Sequence, residues 1–469
     1  MLENSDQTMR LSIIGLGKLG APMAAVMADK GHTVIGVDLN PGAVNAVNQG
    51  RAPVNEPGLD ELIRKNRERL SATTDYAEAI AKSEITFVIV PTPSEPDGSF
   101  SLRFVLASGE AIGHALRGRQ GYHLVVLSST VMPGSTGGSF MPALERASGK
   151  RAGEDFGLCY NPEFIALGSV IHDMLNPDMV LIGEYDTRSG DMIENLHRGV
   201  CESQPTIARM NFVNAELTKL SVNTFVTTKI SYANMLAQVC ETLPGADVAV
   251  VTRAIGADSR IGTRYLKGAL GYGGPCFPRD NVAFSSLARR HGVPASLAEA
   301  TDVLNRRQVP RLAEMMLSRL PAGGTAGIAG LSYKPDTEVI EESQGFLLAQ
   351  HLLSRDVNVV VYDPAALDNA RPALVGRIHF AKSLADCAHQ ADVLAITTPW
   401  REFQTLAPET MRTVNGRAKT VIDCWRILKR ENFEPLVDYL TLGLGRAGEP
   451  VAVESAQVPL RAHMQARGD

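Results

Sequence analysis

The sequence predicts an α/β protein: two doubly wound parallel sheets joined by a central helical domain with one long helix. Three observations carry this reading. Short apolar runs alternate with helical patterns over residues 10–200. A stretch of about thirty residues without Gly or Pro follows, with apolar residues at helical spacing. After Pro321 the alternation of apolar runs and helices returns. Continuous apolar runs suit strands buried on both faces, and parallel strands need helical crossovers.

Taken in order, "RLSIIG", "HTVIGVD", "EITFVIVPTP", "YHLVVLSST" and "MVLIG" read as strands of the first sheet. "APMAAVMADKG" and "VLASGEAIGHAL" read as amphipathic crossover helices. Residues 211–258 change character, and "NAELTKLSVNTFVTTKISYANMLAQVCETL" reads as one long helix, a spine that can also offer a dimer surface. "TAGIAGLSYKP", "NVVVYDP", "DVLAITTPW" and "KTVIDCW" read as strands of the second, smaller sheet. Length suggests roughly three domain-sized units. The expected domains are 1–205, 206–305 and 306–469, with a linker near 306–324 and a loose polar tail from about 447. No tandem repeat is visible, so the outer domains are expected to share architecture only.

Hydrophobic residues make up 44% of the chain and charged residues 21%, as in ordinary soluble globular proteins. A net charge of −5 supplies no positive field for nucleic acid or anionic membrane. No apolar run is long enough to span a bilayer, and the polar start "MLENSDQTMRLSII" has no signal-peptide pattern. A cytoplasmic protein is expected. Cysteines 159, 201, 240, 276, 387 and 424 never form a CxxC pair, which argues against a zinc site or a disulfide framework. No metal is expected. Five of the six sit among apolar or mixed neighbours and read as buried packing thiols. Cys276 is the exception.

"IIGLGKLGAP" gives Gly15-x-Gly17-x-x-Gly20 between a strand and a helix. The first glycine permits a tight turn, the second lets backbone N–H groups reach a pyrophosphate, and the third lets helix and strand pack closely. Asp38 ends the next strand, where a carboxylate accepts from a ribose 2′-OH and repels a 2′-phosphate. NAD is therefore expected in a Rossmann-like first domain. Asp38 also suits an ordinary strand-end turn.

"GYGGPCFPRD" places Cys276 in a glycine-rich turn, where something must approach the backbone closely. Six segments stand in the order seen in one family: "NEPGLDEL" (55–62), "SSTVMPGST" (128–136), "YNPEF" (160–164), "NAELTKLSVNTF" (214–225), "RIGTRYLKGALGYGGPCFPRD" (260–280) and "GLSYKPDTEVIEES" (330–343). By these segments the chain resembles the UDP-glucose/GDP-mannose dehydrogenase family over roughly residues 10–430.

The resemblance implies oxidation of a nucleotide sugar's C6 hydroxyl to a carboxylate by two NAD, with UDP-glucose favoured over GDP-mannose or another NDP-hexose. It implies that Cys276 forms a thiohemiacetal and then a thioester, which water cleaves. Lys219 and Asn223, four apart on one helix face, would stabilise the oxyanion. Glu163 would handle the hydrolytic water, Thr130 would position water or C6, and Asp280 would work with the lysine through water. Each of these three also suits a turn or capping role. The resemblance adds Lys18, Leu19, Thr92 and Thr130 to the cofactor contacts. It assigns the substrate to Phe164, Lys219, Asn223, Tyr265, Lys267, Gly273, Tyr333, Lys334 and Arg426, with Arg260 reaching across a homodimer or larger homo-oligomer.

Three departures stand out. Ile165-Ala166-Leu167 lacks the charges that many relatives carry before the glycine. Pro275 replaces the usual serine, and Glu341 replaces an arginine that normally lies near the bound nucleotides. Two other readings remain open. "GLGKLGAPMAAVMADKGHTVIGVDLNP" also resembles the β-hydroxyacid dehydrogenases, which transfer one hydride and need no cysteine. A non-catalytic dinucleotide-binding protein is the other.

Overall fold

The computed structural model describes residues 8–411 and 418–445; the expected loose tail lies outside them. The first sheet contains β1 (Arg10–Ile14), β2 (Thr33–Val37), β3 (Leu70–Thr73), β4 (Ile85–Val88), β5 (Leu124–Leu127), β6 (Gly157–Tyr160), β7 (Met179–Glu184) and β8 (Thr206–Met210), in the order β3-β2-β1-β4-β5-β6-β7-β8. All its neighbours pair parallel except β6 and β7. The second sheet contains β9 (Thr325–Ala329), β10 (Asn358–Tyr362), β11 (Ile378–Phe380), β12 (Val393–Ile396), β13 (Thr420–Asp423) and β14 (Asp438–Thr441), in the order β11-β10-β9-β12-β13-β14, parallel throughout. The α/β class and the two doubly wound units are as expected.

Alternate residues of each strand feed opposite faces. Leu11, Ile13, Phe87 and Val126 join one apolar cluster, while Ile14, Val88, Val125 and Leu127 join another. Both faces are covered, so these strands read as unbroken apolar runs. Fully burying each such side chain contributes about 1.5–3 kcal/mol.

Several expectations need correction. The helix Gly20–Asp29 is not amphipathic: it is buried from Gly20 to Ala28. The helices Leu59–Lys65 and Val170–Leu175 pack on it and cover what would be its solvent side. The long helix expected over 214–243 is present as Phe212–Thr242, and after Pro244-Gly245 a second helix follows, Val248–Gly256. The expected linker contains the helix Gln308–Leu317, whose Val309, Leu312, Ala313 and Met316 belong to the second sheet's core. Cys201 is only partly buried.

The 31-residue helix Phe212–Thr242 is inverted relative to an ordinary amphipathic helix. Its buried side includes Glu216, Lys219, Asn223, Thr227, Ser231 and Asn234. Its exposed side carries Val213, Leu217, Phe225, Tyr232, Met235 and Val239. Among the described residues no helix is long and apolar enough to cross a membrane.

Candidate active site

The cysteine turn is gripped from two sides. Tyr272 N–H donates to Asn305 Oδ1 at 2.8 Å, and Asn305 Nδ2 returns a bond to the Tyr272 carbonyl at 2.9 Å. Opposite, Gly274 N–H donates to the Glu341 carbonyl at 2.9 Å. Gly274 has φ +84°, and a Cβ there would lie 2.6 Å from the Tyr333 ring. A Cβ on Gly273 would strike the Glu342 carbonyl. The glycines are therefore required by the close approach of the segment after β9. Pro275 adds no donor, and the chain then enters the helix Phe277–Arg290, with Cys276 as its N-cap residue.

Cys276 is the one exposed cysteine of the six. The residue is exposed as a whole, yet protein atoms surround the thiol. Burial first, then Asp280 and Glu341, push the thiol above its ordinary value of 9.0, against the pull of Lys219 and Arg279. The helix N-terminus favours a thiolate, but desolvation wins. The ligand-free thiol is protonated near neutral pH.

Lys219 and Asn223 are both buried on the inner side of the long helix. Lys219 Nζ donates to the Glu163 carbonyl at 2.7 Å and stands 4.5 Å from the Phe164 ring centre. Asn223 Nδ2 donates to Asp280 Oδ2 at 2.6 Å, while buried Asp280 Oδ1 takes no hydrogen bond and has Arg279 Nε 3.9 Å away. Burial raises Asp280, opposed by Lys219, Arg279 and the Asn223 bond. The Glu163 residue keeps some accessible area, yet its carboxyl is packed about by protein. Burial pushes it up to about 7, and Lys219 opposes. That value suits a group that takes protons near neutral pH.

Two residues that the sequence reading passed over hold this cluster in place. Glu216, one turn before Lys219 on the same buried side, accepts from Gly134 N–H at 2.6 Å and from the N–H and Oγ1 of Thr136 at 2.7 and 2.6 Å. A charge on the inward side of the helix was the available signal. Arg279 donates to the Thr92 carbonyl at 2.8 Å, and Thr92 Oγ1 donates to the Thr130 carbonyl at 2.8 Å. The cysteine helix is thereby tied to the ends of β4 and β5.

The dinucleotide turn fits its expected ligand. Gly15 has φ +98°, and a Cβ on it would hit the Ile89 carbonyl. Gly20 packs equally closely on the Gly15 carbonyl, whereas Gly17 faces open space. Leu19 provides no side-chain cap for the helix Gly20–Asp29; Ala21 N–H goes to the Gly17 carbonyl at 3.1 Å and Pro22 has no N–H, so the Gly20 N–H is the helix donor left for an anion. Asp38 accepts from Leu16 N–H at 2.7 Å and from Asn40 N–H at 2.8 Å. It is a turn residue as well, and each oxygen retains a lone pair for a ribose hydroxyl.

The residues expected to bind substrate divide. Tyr333 lies on the cysteine turn. Half-buried Lys334 lies near Asp173, Glu56 and Asp336, with burial pulling its pKa down. Glu56, also passed over, receives Gly168 N–H and Val170 N–H at 2.8 Å each and so clamps the 165–168 loop. Ile165 and Leu167 of that loop pack on the first core. Tyr265, at φ +62°, meets Phe277 edge-on at 6.3 Å. Three cations lie elsewhere. Arg426 is held by Asp247 at 2.5 Å and by the Leu442 carbonyl. Exposed Lys267 precedes Gly268, which packs on Val248 beside Asp247. Arg260 is exposed and paired with Asp258 at 2.6 Å.

Three models of the UDP-glucose/GDP-mannose dehydrogenase family match in order: the NAD binding domain over residues 9–201, the central domain over 213–307 and the UDP binding domain over 327–430. The chain is 38% identical to the UDP-glucose 6-dehydrogenase AglM of Haloferax volcanii, covering 92% of this chain and 100% of that one. It is 33% identical to the GDP-mannose 6-dehydrogenase of Pseudomonas syringae pv. tomato, covering 89% and 100%. Among solved structures it is similar to a UDP-glucose dehydrogenase from Pyrobaculum islandicum, with TM-score 0.84, 32% identity and coverage of 95% and 100%.

Proposed function

Because the chain belongs to the UDP-glucose/GDP-mannose dehydrogenase family, we propose that it is an NAD-dependent nucleotide-sugar 6-dehydrogenase acting through Cys276, with UDP-glucose the favoured substrate. One observation supports the residue assignment: Lys219 and Asp280, from two separate helices, stand near the Cys276 thiol, with Asn223 bonded to Asp280 and the Glu163 carbonyl bonded to Lys219.

Bound NAD supplies a hydride acceptor, used twice per substrate. The chain's residues do the rest. The Cys276 thiol adds across the C6 aldehyde, sulfur to carbon and proton to oxygen, which suits a thiol that is protonated at rest. Lys219 has three donors and spends one on the Glu163 carbonyl, so two remain for the adduct oxygen. Asn223, held by Asp280, adds its amide. After the second oxidation a thioester remains. Water attacks its carbonyl carbon as Glu163 takes one water proton; the C–S bond then breaks, Glu163 returns that proton to the departing sulfur to restore the thiol, and the second water proton is lost to solvent as the acid ionises to a carboxylate. Asp280 serves Lys219 through water.

Gly15, Gly17, Lys18, Leu19, Gly20, Asp38, Thr92 and Thr130 are the NAD contacts in this reading. The substrate contacts include Phe164, Tyr265, Gly273, Tyr333 and Lys334. Arg426 is bonded to Asp247 before the helix Val248–Gly256, and Lys267 precedes Gly268, which packs on Val248; we assign both cations to the far end of the nucleotide. A second copy would cover the apolar outer side of the long helix and lend Arg260. Six unpaired cysteines support a reducing cytoplasm.

Purified protein should make two NADH per UDP-glucose consumed and one equivalent of acid. One NADH per substrate, with an aldehyde or ketone product, would refute the cysteine mechanism. GDP-, dTDP- and CDP-sugars run in parallel test the base.

A further inference from the structure

The loop 331–343 is anchored on the second sheet's domain. Leu331 and Ser332 N–H donate to Asp363 Oδ2 at 2.7 and 2.9 Å, and Asn369 Nδ2 donates to the Glu338 carbonyl at 3.0 Å. From that anchorage it reaches outward in three directions. The Glu341 carbonyl takes the Gly274 N–H of the cysteine turn. The Asp336 carbonyl packs on Gly168, where a Cβ would come within 2.5 Å. Glu338 reaches the first domain: Oε2 accepts from Asn55 Nδ2 at 2.7 Å, and Oε1 stands 3.9 Å from Lys18 Nζ. Lys18 lies inside the Gly15–Gly20 turn.

The same loop carries Tyr333 and Lys334. One segment thus bears contacts proposed for the nucleotide sugar and a carboxylate facing the dinucleotide turn. An ammonium group has three donors. It can hold a carboxylate on one side and a pyrophosphate on the other, so each anion helps to fix the lysine for the other.

We propose that Glu338 is a positioning residue that couples the two nucleotide sites. Nucleotide contacts at Tyr333 and Lys334 hold the loop where Glu338 already sits on Asn55 and beside Lys18, and so help to hold Lys18 at the dinucleotide turn. This rests on the dehydrogenase reading above. Such coupling is reciprocal, so each ligand tightens the other by the same factor. The pair is partly exposed, with side-chain accessibilities of 46% and 28%, which keeps the factor modest.

The test is calorimetric titration of NAD into the full-length protein, alone, with saturating UDP and with saturating GDP. In wild type, NAD should bind about three-fold more tightly with whichever nucleotide binds. Glu338→Gln removes the charge near Lys18 but keeps an acceptor for Asn55. The ratio should fall to one with the melting temperature unchanged, which a merely structural role would not produce. Asn55→Ala should lower the ratio in the same direction, and it replaces the first variant should that one fold poorly. If wild type binds both ligands with a ratio of one, or Glu338→Gln keeps the wild-type ratio, the coupling is overturned and the dehydrogenase reading stands. If wild type binds neither NAD nor either nucleotide, both fall.

Discussion

The turns after β1 and after β9 are built on one plan and used differently. Gly15 and Gly330 both have positive φ, +98° and +109°. Each donates its N–H to the end of the neighbouring strand, to Val37 at 2.7 Å and Tyr362 at 2.8 Å. Each is followed by a leucine whose N–H reaches an aspartate at 2.7 Å, Leu16 to Asp38 and Leu331 to Asp363. Gly20 and Gly345 pack on the carbonyls of Gly15 and Gly330. The outer domains therefore share the backbone plan of this turn as well as their sheet class. The difference is length: the paired glycines stand five residues apart in the first turn and fifteen in the second. The first turn stays open, with Gly17 facing free space. The second folds over the cysteine turn.

The aspartates diverge accordingly. Asp363 is buried and also receives Ser332 N–H and Oγ, Ala365 N–H and Ala366 N–H. Asp38 is only partly buried and has two backbone donors. Equivalent carboxylates thus serve as an internal staple in one domain and as an available acceptor in the other. Sequence position alone does not separate the two roles; the count of donors does.

The comparison can be broken by experiment. The largest effect is expected at the turn that the long loop covers. Cys276→Ser should lower acid formation at least about a thousand-fold while NAD affinity stays within about two-fold. A Ser variant with full activity, or wild type showing no sugar adduct on Cys276 by mass spectrometry during turnover, would end the assignment.

Next comes Glu163→Gln, expected to slow turnover about a hundred-fold or more. A base must be ionised, and burial sets this carboxyl at about 7. The wild-type rate should therefore rise with pH through that value and the variant should lose the rise. An unchanged profile would exclude Glu163 as the base.

The aspartates sharpen the contrast. Asp363→Ala leaves several buried donors without an acceptor and should cost about 3 kcal/mol in denaturant unfolding. Asp38→Ala should mainly weaken NAD and relax discrimination against NADP. Equal losses of stability would erase the distinction.

The smallest effect separates two glycines. Gly274→Ala meets both a positive φ and the Tyr333 ring, and should cost about 1–3 kcal/mol. Gly17→Ala should leave the melting temperature unchanged and weaken NAD about ten-fold, since its Cβ would point where the pyrophosphate approaches.

Much of this was legible in the sequence because backbone crowding demands glycine. Gly15, Gly20, Gly273 and Gly274 marked both turns, and four-residue spacing placed Lys219 and Asn223 together. Strands β3, β6, β8, β11 and β14 were missed. β3 is four residues long with mixed burial, β8 is only half-buried and β11 spans three residues, so none shows a long apolar run. The helix Gln308–Leu317 was hidden by Pro310, which the first turn of a helix tolerates. Bonds between distant segments, such as Asn223 to Asp280 or Gly274 to Glu341, leave no local pattern. The site's members could be named from resemblance, but their wiring could not.

The inverted long helix has a last consequence. Its inner side fixes Lys219 and Asn223, and its outer side offers water a row of apolar side chains. In the dimer proposed above, loss of the covering copy would loosen the rod that aims both groups. Turnover per molecule should then decline as the enzyme is diluted and return when it is concentrated.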